Sequence, residues 1–230
     1  MMRSHWLALP AEQDKQGRGN SLHPLIDENI STLSQQKFTK QLTGQERYLR
    51  DHVVGSRDAR MILPGSAYIE MIHAAGQLAM ESDWAVASVR NLMWMNAIQV
   101  DGEPVAVDIS LAHAGGDNVQ VAIRNRHTDT LALEAELVYR PDTDAPEEEW
   151  IDLDALRNSG KHDSDQAAIY ADFAKMGFAY GPSYQVTRER YRFADAALSH
   201  LCLPDDLPSA DAFYLHPSLL DGALRTCLAV

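Results

Sequence analysis

The chain has 230 residues, 45% of them hydrophobic and 23% charged, with a formal net charge of −13. These proportions allow a sizeable core in one large domain or two small ones, and the acidic balance argues against nucleic acid or an anionic membrane surface as partner, because phosphate binding needs clustered Lys and Arg. No apolar run approaches the ~20 residues of a spanning helix, and two cysteines, Cys202 and Cys227, are too few for a disulfide framework and lack metal-ligand spacing, so a reducing cytoplasm is the expected compartment.

Residues 1–21 read as a linker, loosened by Gly17, Gly19, Asn20 and Ser21. The opening MMRSHWLALP is too short in its apolar core for a signal peptide, and no small-residue cleavage site follows it. KFTKQL at 37–42 alternates as a strand, Thr43 and Gly44 turn it, and Val53 and Val54 after His52 suit a second strand that Leu63-Pro64-Gly65 breaks. A helix follows from about Ser66, with Tyr68, Met71, Ile72, Ala75 and Leu78 at helical spacing on a broad apolar face. Alternating strands are expected over 86–94, 104–112, 118–126 and 130–139, with turns at Gly115-Gly116 and 127–129.

The acidic, proline-containing stretch 141–165 reads as a linker between two units. The order then partly repeats: a short helix over 167–176 capped by Gly177, an aromatic Gly-Pro turn at 178–186, strands at 188–193 and 197–203, and an apolar helix after His216-Pro217 carrying Leu219, Leu220, Ala223 and Leu224. The expected fold class is α+β, in tandem units over 22–140 and 166–230. The second unit has too few strands to cover its helix, so either its C-terminal part is truncated or a partner supplies the cover.

Walker, dinucleotide, G-x-S-x-G and H-E-x-x-H motifs are all absent. His52 stands out among nine histidines. It lies upstream of a Pro-Gly helix start, where free backbone N–H groups can hold a carbonyl oxygen that gains charge, and a neutral imidazole there can take a proton. An ordinary loop histidine is the alternative. Asp221 sits among leucines on the second apolar helix, where an anion is costly to bury. It is either a helix N-terminal charge or a carboxyl tuned to donate a proton. His73, His113, His127, His162 and His200 read as packed or solvated side chains.

Five blocks in order then carry a resemblance: LHPLIDENIS at 22–31, YLRDHVV with LPGSAYIEM, VRNLMWMNAIQV at 89–100, MGFAYGPSYQ at 176–185, and LHPSLLDGALR at 215–225. Together they resemble the dehydratase domain of modular polyketide synthases, particularly those served by a separate acyltransferase. The resemblance implies a double hotdog, two helices each wrapped by an antiparallel sheet. It implies loss of water from a β-hydroxyacyl thioester held on the phosphopantetheine arm of an acyl carrier protein, with no cofactor or metal. On this chain it makes His52 the base and Asp221 the acid. Gly65 becomes the N–H donor to the thioester carbonyl, and Pro64, Tyr180, Gly181 and Arg225 contribute to the substrate pocket. It also implies a homodimer beside neighbouring synthase domains.

Two departures are visible. Pro64 follows His52 by twelve positions, a longer spacing than is usual in the family, and Arg225 stands where Gln or His is usual. They leave open a silent docking or dimerisation domain, a double-bond isomerase, or a pyran-forming cyclase. Lys37, Lys40, Arg47, Arg50, Arg57 and Arg60 form a dense basic cluster, read either as a carrier-docking patch or as a solvated face.

Overall fold

The computed structural model describes residues 21–55, 60–80, 83–116, 118–141, 143, 150–207 and 210–229. The expected linker at 1–21 therefore falls, Ser21 apart, outside the described residues, as does Arg57.

The chain enters with β1 (Glu28–Asn29) and β2 (Gln36–Leu42), makes one helical turn α1 (Arg47–Arg50), and continues into β3 (His52–Val54) and β4 (Arg60–Met61). Helix α2 (Gly65–Leu78) follows Pro64, whose extended backbone (φ −62°, ψ 145°) fixes the entry angle. Ala67, Tyr68, Met71, Ile72, Ala74 and Ala75 are all buried, so α2 is a core helix rather than a surface one. Four long strands come next: β5 (Trp84–Trp94), β6 (Val105–Gly115), β7 (Asn118–Asn125) and β8 (Leu131–Pro141). With β1 and β2 they form an antiparallel sheet in the order β1-β2-β6-β7-β8-β5. Its inner face follows the two-residue period of a strand: Val119, Val121 and Ile123 of β7 are buried at alternate positions. The sheet curls around α2, and at Gly76 an added Cβ would stand 2.6 Å from Leu137 Cδ1, so this crossing has no room for a side chain.

The acidic stretch departs from expectation. It contains α3 (Leu153–Ser159), capped by Asp152, which accepts from Ala155 N–H at 2.9 Å, and strand β9 (Lys161–Asp165). The reason is charge matching. Asp163 pairs with Arg190 at 2.7 Å, and Arg157 pairs with Glu189, so residues that read as a repelling run are neutralised by their neighbours in space. Helix α4 (Gln166–Lys175) then ends where Gly177 adopts a left-handed φ of 90°. After β10 (Phe178–Tyr180), strands β11 (Thr187–Arg192) and β12 (Ala197–Leu201) form a sheet in the order β12-β11-β9. Helix α5 (Pro217–Thr226) packs on β12 and against α2, and Gly222 allows that approach, since a Cβ there would meet Val186 at 2.7 Å. Among the described residues no helix is long and apolar enough to cross a membrane.

A third sheet, β10-β3-β4, ties the later part of the chain to the earlier one. Phe178, Ala179 and Tyr180 pair with Val54, Val53 and His52. This pairing, which the sequence did not announce, sets His52 opposite Tyr180.

Candidate functional site

His52 leaves the α1 turn as the first residue of β3 and is buried, with 9% exposure. Its Nδ1 lies 3.2 Å from the carbonyl oxygen of Ile62. A carbonyl can only accept, so this contact places the ring hydrogen on Nδ1 and leaves Nε2 with a free lone pair. Burial holds the imidazole below its usual pKa of 6.5, with the charge of Asp221 pulling the other way. The rings of Tyr180 and Tyr184 flank it at 5.6 and 5.3 Å. Val54 pairs with Arg60, and α2 begins directly after Pro64.

Gly65 opens α2, where first-turn N–H groups lack intrahelical acceptors. Trp94 stands over it, 3.5 Å from where a Cβ would be. Gly65, Ser66, Trp94, Met95, Asp221 and Leu224 line a cavity of about 410 Å³. Asp221 enters from α5, whose start is fixed by Pro217 and by His216 Nδ1, which accepts the Ser218 N–H at 3.2 Å. Burial raises the Asp221 carboxyl above the usual carboxylate range, while Arg225 and His52 pull it back. Asp221 on α5 and His52 on β3 thus sense one another's charge, and Asp221 lines the cavity.

Arg225 was expected as a substrate contact. It is instead 6% exposed and tied down: Nε lies 2.9 Å from Asp221 Oδ2, Nη2 donates to Tyr184 O at 2.8 Å, and the guanidinium carbon sits 4.3 Å from the Tyr180 ring centroid. Tyr170 and Phe173 extend this aromatic cage. Gly181 likewise meets protein rather than cavity. Its N–H donates to Asp51 O at 2.8 Å, and a Cβ would fall 2.5 Å from Asp51 Cγ. Asp51 also accepts the Ser183 N–H at 2.9 Å, so the residue preceding His52 holds the Gly-Pro turn. Replacing Gly181 with Ala should cost about 1–3 kcal/mol through this clash. A thermal melt should show the loss, and an unchanged melting temperature would contradict the packing described.

Asp51, Ser66 and Tyr184 were not singled out from sequence. Arg225 Nη1 is buried without a hydrogen-bond partner, and such orphans are rare enough in native proteins to need a reason. Tyr184 lay within the quoted Gly-Pro block, but nothing in that pattern marks a hydroxyl for the site. The basic cluster is not a free patch: Lys37, Lys40 and Arg47 pair with Asp108, Asp27 and Asp206 at 2.8, 2.7 and 2.6 Å, while Arg50 and Arg60 are exposed.

Comparison with known proteins identifies the family. A family model described as polyketide synthase dehydratase domain matches residues 23–126, and one described as polyketide synthase dehydratase N-terminal domain matches 151–230. The chain is 33% identical to polyketide synthase PksN of Bacillus subtilis over 91% of its own length, and 30% identical to polyketide synthase ThaG of Burkholderia thailandensis over 98%. It spans only 4% of the length of each. Among solved structures, a trans-AT PKS dehydratase domain from Brevibacillus brevis is 32% identical with a TM-score of 0.80, covering 90% of this chain and 74% of that one. The dehydratase domain of RzxB from Pseudomonas fluorescens is 26% identical with a TM-score of 0.75, covering 91% of this chain and 75% of that one. The two helices with their antiparallel sheets are those of a double hotdog, and the chain belongs to the dehydratase domains of polyketide synthases.

Proposed function

We propose that this chain eliminates water from a β-hydroxyacyl thioester, presented on the phosphopantetheine arm of an acyl carrier protein, to give the α,β-unsaturated thioester. The observation that carries the reading is a histidine with a free Nε2 and a carboxyl raised by burial, brought from different parts of the chain near enough that the charge of each shifts the other, with the carboxyl lining a cavity at the start of α2. His52 Nε2 takes the α-proton. The electrons released form the Cα–Cβ double bond as the Cβ–O bond breaks. Asp221 protonates the departing hydroxyl, because hydroxide is a poor leaving group. The N–H of Gly65, in the first turn of α2, is placed to stabilise charge on the thioester oxygen. One proton leaves and one returns, so the step needs no redox partner. Incubation with a carrier-bound β-hydroxyacyl thioester, followed by mass spectrometry of the acyl group, should show loss of one water.

One observation favours a second reading, a silent docking domain: Arg225 Nε lies 2.9 Å from the Asp221 carboxylate. That reading requires carrier binding with no water released. The two diverge in the pH profile of an Arg225→Gln variant. The positive charge of Arg225 lowers both the Asp221 and the His52 pKa. Its removal raises both. The base must be deprotonated and the acid protonated, so the acid limb and the alkaline limb of kcat/KM should both move to higher pH, as macroscopic values of the pair.

A further inference from the structure

Glu70 is the one acid of core helix α2, and it is 0% exposed. A buried carboxylate is costly unless donors meet it. Here Oε1 accepts the Tyr214 N–H at 2.8 Å and Oε2 accepts the Leu215 N–H at 2.6 Å. His23 adds a third. Its Nδ1 accepts the Leu25 N–H at 3.2 Å, so the ring hydrogen is on Nε2, which lies 3.0 Å from Glu70 Oε1. One carboxylate on α2 thus holds the backbone at 214–215 and sits against His23. Glu70 lies five residues after Gly65 on the same helix, and Leu215 lies six residues before Asp221. Between them His216 and Pro217 start α5.

We propose that Glu70 is a positioning residue that sets Asp221 against the Gly65 end of α2 by clamping the backbone at Tyr214 and Leu215. This rests on the proposed dehydration. A clamp on the approach to α5 acts on the proton donor, while His52 is held separately, through Ile62 and the β10 pairing. Glu70→Gln keeps the shape but offers one oxygen and one NH2 to two backbone N–H donors. One contact is lost, and two N–H groups face each other.

The test separates a role at the acid from a general loss of fold. The full chain and its Glu70→Gln variant are assayed on two carrier-bound thioesters, one β-hydroxy and one β-fluoro. In the second, the base takes the α-proton, the double bond forms and the C–F bond breaks. Fluoride is a far weaker base than hydroxide and needs much less help from an acid. Misplacement of the donor by about 1 Å costs ~100-fold, so kcat on the hydroxy substrate should fall about 10- to 100-fold, with KM little changed. Turnover of the fluoro substrate should stay within about threefold. An equal fall on both substrates, or no fall on either, would overturn the inference while water release by the unaltered chain still stood. Should Glu70→Gln fail to fold, His23→Asn removes one arm of the clamp alone. It should show the same selectivity at smaller size, and an equal fall there overturns the proposal too. An unaltered chain that releases fluoride but no water would instead remove the proposed function, and this inference with it.

Discussion

Replacing His52 with Ala should lower dehydration by about 10²–10⁴-fold, the range a positioned general base supplies. The expectation follows from three separate features. The contact with Ile62 O fixes the ring hydrogen on Nδ1. Burial keeps the imidazole below 6.5 and so unprotonated near neutrality. Pairing with Tyr180 sets the ring in a wall of aromatic side chains rather than in water. The variant should stay folded, because His52 is not part of the main apolar core around α2. Carrier binding measured by calorimetry should therefore persist while turnover is lost. Turnover retained at the unaltered rate would remove His52 from the chemistry.

Asp221→Asn should be comparably severe in rate and should also cost stability. Asn has no acidic proton to give, so the departing hydroxyl loses its donor, again worth about 10²–10⁴-fold. The stability cost comes from Arg225. With the carboxylate gone, a guanidinium that is 6% exposed keeps its bond to Tyr184 O and its stack on Tyr180 but loses its counter-charge. Breaking a buried pair in this way costs about 3 kcal/mol. Denaturant unfolding beside the rate assay separates the two effects. Arg225→Gln leaves the acid in place and should spare most of the rate, so the two variants together distinguish loss of the donor from loss of the pair.

Much of the fold was legible because long elements write their period into the sequence. Strands β7 and β8 alternate, and α2 carries an apolar face that only a core helix tolerates. His52 and Asp221 could be singled out because a histidine before a Pro-Gly helix start and an acid among leucines are both locally out of place. What stayed hidden is non-local. Strands β3 and β10 have three residues each, too short for a period, and their pairing joins positions about 126 residues apart. Strand β9 hid among acidic residues because its partners, Arg190 and Arg192, lie on another strand. Spacing at i,i+4 allows Arg225 to meet Asp221 but does not choose its rotamer; the Tyr180 face and the Tyr184 carbonyl do. Glu70 did leave a mark, as a charge on an otherwise apolar helix, but its partners at Tyr214 and Leu215 are backbone groups that no side-chain pattern records.

The most direct test is the pH dependence of kcat/KM for water loss from a carrier-bound β-hydroxyacyl thioester. Two titrating groups with opposite required states give a bell, with an acid limb below the ordinary histidine value of 6.5 and an alkaline limb above the ordinary aspartate value of 3.8. A rate that climbs to a plateau and never falls on the alkaline side would contradict Asp221 as the proton donor, and absence of water release at every pH would contradict the catalytic reading altogether.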